Sequence, residues 1–436
     1  GTGPQITHAI NLSNMVKKQF PNFPIIWAGW HPSLLPDQTM EHPAVDIIVR
    51  GQGEITMFEV VQRLSQGENL KDLEGICYKS NGKTITNPDR KMVDLNSFPN
   101  MPYHLINLKN YPGPSGRKSA LNDVFVNFRS SQGCPWRCAY CADPAVFNRR
   151  WKALTAERTV DEIEHLVNEY GVTYINFVDD TFIVDPRRTK AFCLEMINRK
   201  IKVKWSANAR TGMIARLDQE VLELLHEAGC DLIHPGVEAP TQKMLDYILK
   251  DEKAENTLIA AEKMAKAGIA GLYAFMLSFP DDPPDMVEST FRLIRELKEL
   301  DNNNIMPVNF YVPYPGNVLY ERSLKKGFKP PTSLAEWADF GTRRGLATPW
   351  ITKSYREKVM MLDKYILPAA YPSRIMKDRM NNTRLGWLYK ILHKISLYRI
   401  KNDKFLWLID WKILYAYWRF WEKWHRRIRL PHVHFR

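Results

Sequence analysis

The apolar positions of this chain follow two rhythms, and the switch between them marks its elements. Over residues 8–20, Ala9, Ile10, Leu12, Met15, Val16 and Phe20 recur at helical spacing and predict a helix. Residues 24–31 and 45–49 read as short buried strands. The first runs into Ala28-Gly29-Trp30-His31-Pro32, and the second into Arg50-Gly51-Gln52-Gly53-Glu54. An amphipathic helix through Leu64 follows, then a hairpin of residues 75–78 and 83–86 turning at Asn81-Gly82. Glycine past a strand's carboxyl end lets backbone approach a ligand, although it is also ordinary turn geometry. Residues 72–122 contain Pro88, Pro99, Pro102, Pro112 and Pro114, with Gly-Pro-Ser-Gly at 113–116, which predicts an irregular connector.

From residue 123 the pattern alternates. Strands are predicted at 123–128, 174–178, 203–207, 232–237, 271–277 and 308–312, with helical segments between them. Thr159-x-x-Glu162 predicts a capping box, with Ile163, Leu166, Val167 and Tyr170 on one helix face. Six β–α steps predict an α/β fold whose parallel sheet curls into a partial barrel, with its chemistry at the strand carboxyl ends. Those ends are polar where a plain core would be apolar. They read Asp179-Asp180-Thr181, Trp205-Ser206-Ala207-Asn208-Ala209-Arg210, His234-Pro235-Gly236-Val237-Glu238, Phe279-Pro280-Asp281-Asp282, and Tyr311 to Gly316. The implied units are residues 1–95, a linker at 96–122, the barrel at 123–330 and a C-terminal region at 331–436.

Just past the first barrel strand lies Cys134-Pro135-Trp136-Arg137-Cys138-Ala139-Tyr140-Cys141. Three cysteines at C-x3-C-x2-C are one short of the four ligands that close a structural zinc site, and the nearest others are Cys77 and Cys193. A four-iron cube takes one ligand per iron, so three thiolates leave one iron open to a small molecule. A weak zinc site, or thiols with no metal, is the plainer reading.

The spacing, with an aromatic residue before the last cysteine, resembles the radical S-adenosylmethionine (radical SAM) superfamily. The strand-end segments, in this order behind the cysteines, resemble the same family. The resemblance implies a (βα)6 barrel and a [4Fe-4S] cluster on Cys134, Cys138 and Cys141. S-adenosylmethionine (SAM) would chelate the open iron and be cleaved to methionine and a 5′-deoxyadenosyl radical. It also implies that Tyr140 walls the adenine, that Ser206, Asn208 and Arg210 bind ribose and carboxylate, and that Glu238 accepts from ribose or amino group. Asp179 and Asp180 are either SAM contacts or helix caps. An electron donor such as flavodoxin or ferredoxin is implied as well.

Residues 1–95 resemble the back half of a Rossmann-like cobalamin-binding domain, with Gly29, Gly51 and Gly53 as the cofactor-binding glycines. Two departures stand out: Ala28-Gly29 replaces a typical glycine pair, and the early Asp-x-His-x-x-Gly element is absent, expected upstream of Gly1. The family includes methyltransferases and the anaerobic magnesium-protoporphyrin cyclase type. The expected function is therefore cobalamin-dependent methylation of an unactivated carbon, or oxidative cyclisation, on a small hydrophobic substrate. A non-catalytic module that binds cluster or cobalamin is the rival.

Composition changes this picture only at the C-terminus. The chain has a formal net charge of +13, yet residues 372–436 alone hold 16 Lys/Arg against four Asp/Glu. They also hold Trp387, Trp407, Trp411, Trp418, Trp421 and Trp424, six of the 13 tryptophans. This helical, basic, aromatic tail either packs its tryptophans on the barrel or lies on an anionic membrane surface. Nucleic acid is not an expected partner, and His425, His432 and His434 read as ordinary tail residues. No run of 18 apolar residues is present, and the scattered cysteines with an oxygen-sensitive cluster imply a reducing cytoplasm.

Overall fold

The computed structural model describes residues 2–111, 123–338, 340, 348–372, 374–384, 386–402, 404, 409–413 and 416. The N-terminal module opens with α1 (Gln5–Gln19), β1 (Ile26–Ala28), α2 (Trp30–Leu34), α3 (Pro36–Glu41), β2 (Ile47–Val49) and α4 (Glu54–Gln66). The hairpin β3 (Ile76–Ser80) and β4 (Lys83–Thr86) completes it. Its sheet runs β1-β2-β3-β4, with β1 and β2 parallel and the rest antiparallel. The first strand is shorter and less buried than its apolar run suggests, because Trp30 already begins α2 and β1 lies at the sheet edge. α1 forms as its spacing predicts, yet Leu12, Met15 and Phe20 face outward.

The connector consists of single turns (Leu95–Ser97, Tyr103–Leu105, Leu108–Asn110), and the 113–116 turn lies outside the described residues. Arg158 staples it to the barrel, donating to the carbonyls of Asn96 and Phe98 at 2.6 Å each.

The barrel sheet contains β5 (Phe125–Phe128), β8 (Tyr174–Phe177), β9 (Lys204–Arg210), β10 (Cys230–Glu238), β12 (Ala274–Leu277) and β13 (Val308–Phe310), all parallel and adjacent in chain order. A hairpin of β6 (Ser131–Gly133) and β7 (Trp151–Ala153), with α5 (Asp143–Phe147) inside it, is inserted after β5. The covering helices are α6 (Ala156–Tyr170), α7 (Pro186–Asn198), α8 (Thr211–Arg216), α9 (Gln219–Glu227), α10 (Gln242–Tyr247), α11 (Asn256–Lys266), α12 (Met286–Leu300) and α13 (Val318–Lys325). This is the partial (βα)6 barrel that the alternation predicts.

Two local expectations fail for clear reasons. α6 starts a turn before the proposed capping box: Thr155 is its cap and accepts from the Arg158 N–H, so Glu162 sits in the second turn and pairs with Arg158. The fifth predicted strand is split into β11 (Ala270–Gly271) and β12 because the fully buried Tyr273 ring folds back over Gly271, leaving no room there for a Cβ.

Two core clusters fill the barrel wall. One is built around Phe177, Phe182, Phe192 and Trp205, and the other around Phe275, Phe291, Ile294 and Leu362. Beyond the barrel, α14 (Leu334–Ala338) turns back to the N-terminal module. Trp337 and Phe340 pack with Ile6, and the Trp337 indole donates to Gln38 Oε1 at 2.6 Å. α15 (Lys353–Met361), a wide turn at Leu362–Ile366, α16 (Leu367–Ala370), α17 (Arg374–Asn382) and α18 (Gly386–Lys401) then close one side. Trp407, Trp418, Trp421, Trp424, His425, His432 and His434 lie outside the described residues.

Candidate active site

The chain turns sharply where β5 ends, and two carboxylates hold that turn, Asp179 buried and Asp180 exposed. Asp179, at the end of β8, accepts from the Ser130 N–H (2.7 Å), the Ser130 hydroxyl (2.6 Å) and the Ser131 hydroxyl (2.7 Å). Asp180 accepts from the Gly133 N–H at 3.0 Å. Gly133 has φ +78°, and a Cβ there would lie 2.2 Å from the Arg150 carbonyl oxygen across the hairpin, so glycine is required. Neither aspartate caps a helix; Asp185 caps α7. Asp179 is left by the resemblance as either a SAM contact or a helix cap. It is fully buried with both oxygens taken by serines, so it acts on the cysteine loop from behind.

The cysteine loop is clamped from three sides. The Ala139 N–H donates to the Ile248 carbonyl (2.7 Å), Leu319 N–H donates to the Ala139 carbonyl (3.0 Å), and Asn317 Nδ2 donates to the Tyr140 carbonyl (3.2 Å). Arg137 forms a fork with Asp251 at 2.9 and 3.0 Å. The cysteines form no disulfide; Cys138 is buried, and Cys134 and Cys141 are half-buried. Burial pushes the Cys134 thiol up to about 12 and Cys141 higher still, so a bound cation is needed to hold them as thiolates. Among the described residues no three His, Cys, Asp or Glu side chains converge on one point, as a single metal ion would require. A cube, which takes one thiolate per iron, fits these three spaced thiols.

Arg210, at the end of β9, turns inward onto this loop. Its Nη1 donates to Cys138 Sγ at 3.2 Å, its guanidinium lies 4.5 Å over the Trp136 ring, and its Nε pairs with Glu252 at 3.2 Å. Its other nitrogen donates to the Lys250 carbonyl. Glu252 also accepts from the Thr211 hydroxyl (2.8 Å) and the Gly212 N–H (3.0 Å). Lys250 is 2% exposed, with its ammonium 3.5 Å from the Tyr140 hydroxyl and 3.8 Å from Glu238. Burial and Glu238 together hold the Tyr140 phenol well above its ordinary range. Leu249, Asp251 and Glu238 all have left-handed φ (50°, 53° and 65°), rare for side chains of this size and concentrated around the loop. Tyr140, Arg210 and Glu238 are thus gathered beside the cysteines. Lys250 and Glu252 join them unforeseen, because a charged run after a helix reads as a solvated face.

A polar ladder crosses the barrel strands. Asn176 Nδ2 donates to Asn127 Oδ1 (2.9 Å), and the Ser206 hydroxyl donates to Asn176 Oδ1 (3.0 Å). Asn208 donates to the Asp179 carbonyl (2.9 Å) and meets His234 Nδ1 at 3.2 Å. Ser206 and Asn208 sit two residues apart on β9, hence on one sheet face.

The glycines of the N-terminal module divide. A Cβ on Gly29 (φ +101°) would meet nothing within 4 Å, whereas Gly51 faces Val146 of α5 at 3.6 Å and Gly53 faces Val49 at 3.2 Å. The polar residues between them serve the barrel. Gln52 Nε2 donates to Gln132 Oε1 (2.9 Å), Gln132 Nε2 donates to Glu54 Oε1 (2.5 Å), and the Val93 N–H donates to Gln52 Oε1 (2.6 Å). Gly29 therefore borders open space at a strand end, while Gly51 and Gly53 are committed to packing. Of the three, Gly29 alone leaves room for an approaching group.

The chain thus sets a three-cysteine loop after the first strand of a parallel half-barrel. Residues 128–294 match the Radical SAM superfamily. It is 29% identical over 318 residues to an uncharacterised methyltransferase of Pyrococcus horikoshii, covering 72% of this chain and 66% of that protein. It is 26% identical over 324 residues to the anaerobic magnesium-protoporphyrin IX monomethyl ester cyclase of Rubrivivax gelatinosus, covering 73% and 56%. In fold it resembles the cobalamin-dependent SAM radical enzyme OxsB, solved with aqua-cobalamin and SAM (TM-score 0.64, 17% identity, 92% of this chain and 63% of that one). The chain spans between half and two thirds of the length of these curated relatives.

Proposed function

We propose that this chain is the catalytic body of a radical SAM enzyme that methylates an unactivated carbon of a small, hydrophobic substrate with cobalamin as methyl carrier. The observation that carries the reading is the clamped three-cysteine loop whose Cys138 meets the buried Arg210 from the end of β9. Methylation is supported by the likeness to the uncharacterised P. horikoshii methyltransferase, and cobalamin by the likeness in fold to OxsB. Oxidative cyclisation is the second reading, favoured by the R. gelatinosus relative.

In this reading Cys134, Cys138 and Cys141 would hold a [4Fe-4S] cluster, with one iron left open for SAM. When bound, the cluster supplies the electron that splits SAM into methionine and a 5′-deoxyadenosyl radical. Arg210 sets a fixed positive charge beside Cys138 and toward the SAM carboxylate. Ser206 and Asn208 offer hydroxyl and amide groups to the ribose, Glu238 accepts from ribose or amino group, and Tyr140 walls the adenine. The electron comes from a donor of the flavodoxin or ferredoxin type.

The test is anaerobic reconstitution followed by strong reductant with SAM. The expected result is about four irons per chain and release of 5′-deoxyadenosine, both lost when Cys134, Cys138 and Cys141 are replaced by Ala. A triple variant that keeps its iron, or a loaded wild type that never cleaves SAM, overturns the reading. With cobalamin added, labelled methyl in the product supports methylation; an oxidised, unmethylated product supports cyclisation.

A further inference from the structure

The C-terminal region presents an apolar face that the site does not use. α18 is held to the body on one side. Gly386, Ser396, Arg399 and Ile400 are buried, and Arg295 donates to the Ile400 carbonyl at 3.2 Å. Arg399 grips Asp410 through two bonds of 2.6 and 3.0 Å, and Trp411 stacks on Tyr365 at 5.9 Å. Trp411 is therefore a staple and not part of an open face.

The opposite side of α18 shows a different pattern. Trp387, Ile391, Ile395 and Tyr398 recur at i, i+4, i+8 and i+11, forming one stripe, and are 62%, 45%, 38% and 56% exposed. Lys390, Lys394 and Lys401, all exposed, form the adjacent stripe along one flank. The next described segment repeats the pattern, with exposed Ile409 and Ile413 around exposed Lys412.

We infer that this face of α18 seats the protein on an anionic lipid bilayer, with the helix lying in the plane of the surface. Charge complementarity selects that occupant: residues 372–436 carry 16 Lys/Arg against four Asp/Glu, while the rest of the chain holds 45 against 44. Lysines beside an apolar stripe can bury their stems and keep the ammonium at headgroup level. Trp387 and Tyr398 stand at the two ends of the stripe, and these residue types favour the membrane–water interface. Among the described residues no helix is long and apolar enough to cross a membrane, so contact through this face is peripheral.

The experiment is co-sedimentation of the full chain with vesicles of phosphatidylcholine alone and with about 30% phosphatidylglycerol. Binding is expected only to the anionic vesicles, weakening as salt shortens the screening length. The combined variant Trp387→Ser, Ile391→Ser, Tyr398→Ser, altering exposed positions only, is expected to lower binding about tenfold or more with an unchanged thermal melt. Lys390→Gln, Lys394→Gln and Lys401→Gln together should reduce it to a similar extent. The inference is overturned if wild type ignores anionic vesicles, or if the apolar variant binds them as wild type does. It is equally overturned if wild type, without vesicle binding, forms a dimer that the apolar variant dissolves, which would assign the face to a second copy. SAM cleavage is read separately and is expected to stay unchanged in both variants.

Discussion

Arg210 is the residue on which the candidate site turns. It touches a cluster cysteine, an aromatic ring and a carboxylate at once. Its ion pair with Glu252 is nearly dry, with side chains 8% and 4% exposed. Removing one partner of a buried pair leaves an uncompensated charge, at a cost of about 3–5 kcal/mol. Glu252→Ala is therefore expected to destabilise the cluster-free protein by about that amount in urea unfolding, and to lower iron content after reconstitution. Glu252→Gln keeps the acceptor oxygen and should lose markedly less. Equal loss in both variants would mean that charge matters and hydrogen bonding does not. A second buried carboxylate gives a pH signature. Asp282 accepts from the Ser278 N–H and the Tyr355 hydroxyl at 2.7 Å each, yet burial raises it from the ordinary 3.8 to about 6. A carboxyl raised in the folded state binds more protons there than in the unfolded chain, so its contribution falls as pH rises across roughly 4–6 and stays flat above. Asp282→Asn retains an acceptor and should flatten that part of the thermal midpoint's pH profile. A profile parallel to wild type would contradict the assignment.

The elements were legible to different degrees, and the reasons are local. Strand positions emerge from the sequence because each barrel strand is an apolar run bounded by turn residues; β8 and β9 fall within a few residues of their predicted places. Helix starts are harder to place. Thr155 and Thr159 are both plausible caps, and the chain chooses the one preceding the whole apolar face. The split of β11 from β12 is invisible in sequence, because it depends on where the Tyr273 ring goes. Gly133 shows what sequence reading misses at this scale: a glycine before a cysteine reads as loop, whereas its position is set by the Arg150 carbonyl of the facing strand. Gly133→Ala combines a left-handed φ with a clash against backbone, either of which costs about 1–3 kcal/mol. It is expected to cut cluster incorporation severely, while the far-UV spectrum of the barrel stays near wild type. Full iron loading in that variant would show that the hairpin can shift freely.

At the scale of the whole molecule, the site is assembled from contacts that no local pattern announces. Arg137 meets Asp251 across 114 residues, and Asn317 meets the Tyr140 carbonyl across 177. One of the contacts joining the two modules is the buried Gln52–Gln132 bond, 80 residues apart, which places the N-terminal motif two residues from Cys134. The resemblance offers Arg50-Gly51-Gln52-Gly53-Glu54 as a ligand loop, but Gln52 and Glu54 bond Gln132 of the cysteine hairpin, and Arg50 turns to Asp89 and the Asn87 carbonyl. A buried amide that loses its partner costs about 1–3 kcal/mol, whereas replacing both partners by apolar groups is closer to neutral. Gln52→Leu and Gln132→Leu are each expected to lower stability by about 2 kcal/mol, and the double variant by clearly less than their sum. The measurement is a double-mutant cycle in urea on the cluster-free protein, with iron content after reconstitution followed in parallel. Coupling of about 1 kcal/mol, accompanied by a loss of iron in the Gln52 variant, ties the N-terminal module to cluster assembly. Strict additivity with iron unchanged would separate the two modules, leaving the cysteine loop positioned by Asp179, Asp180 and the Ile248–Glu252 segment alone.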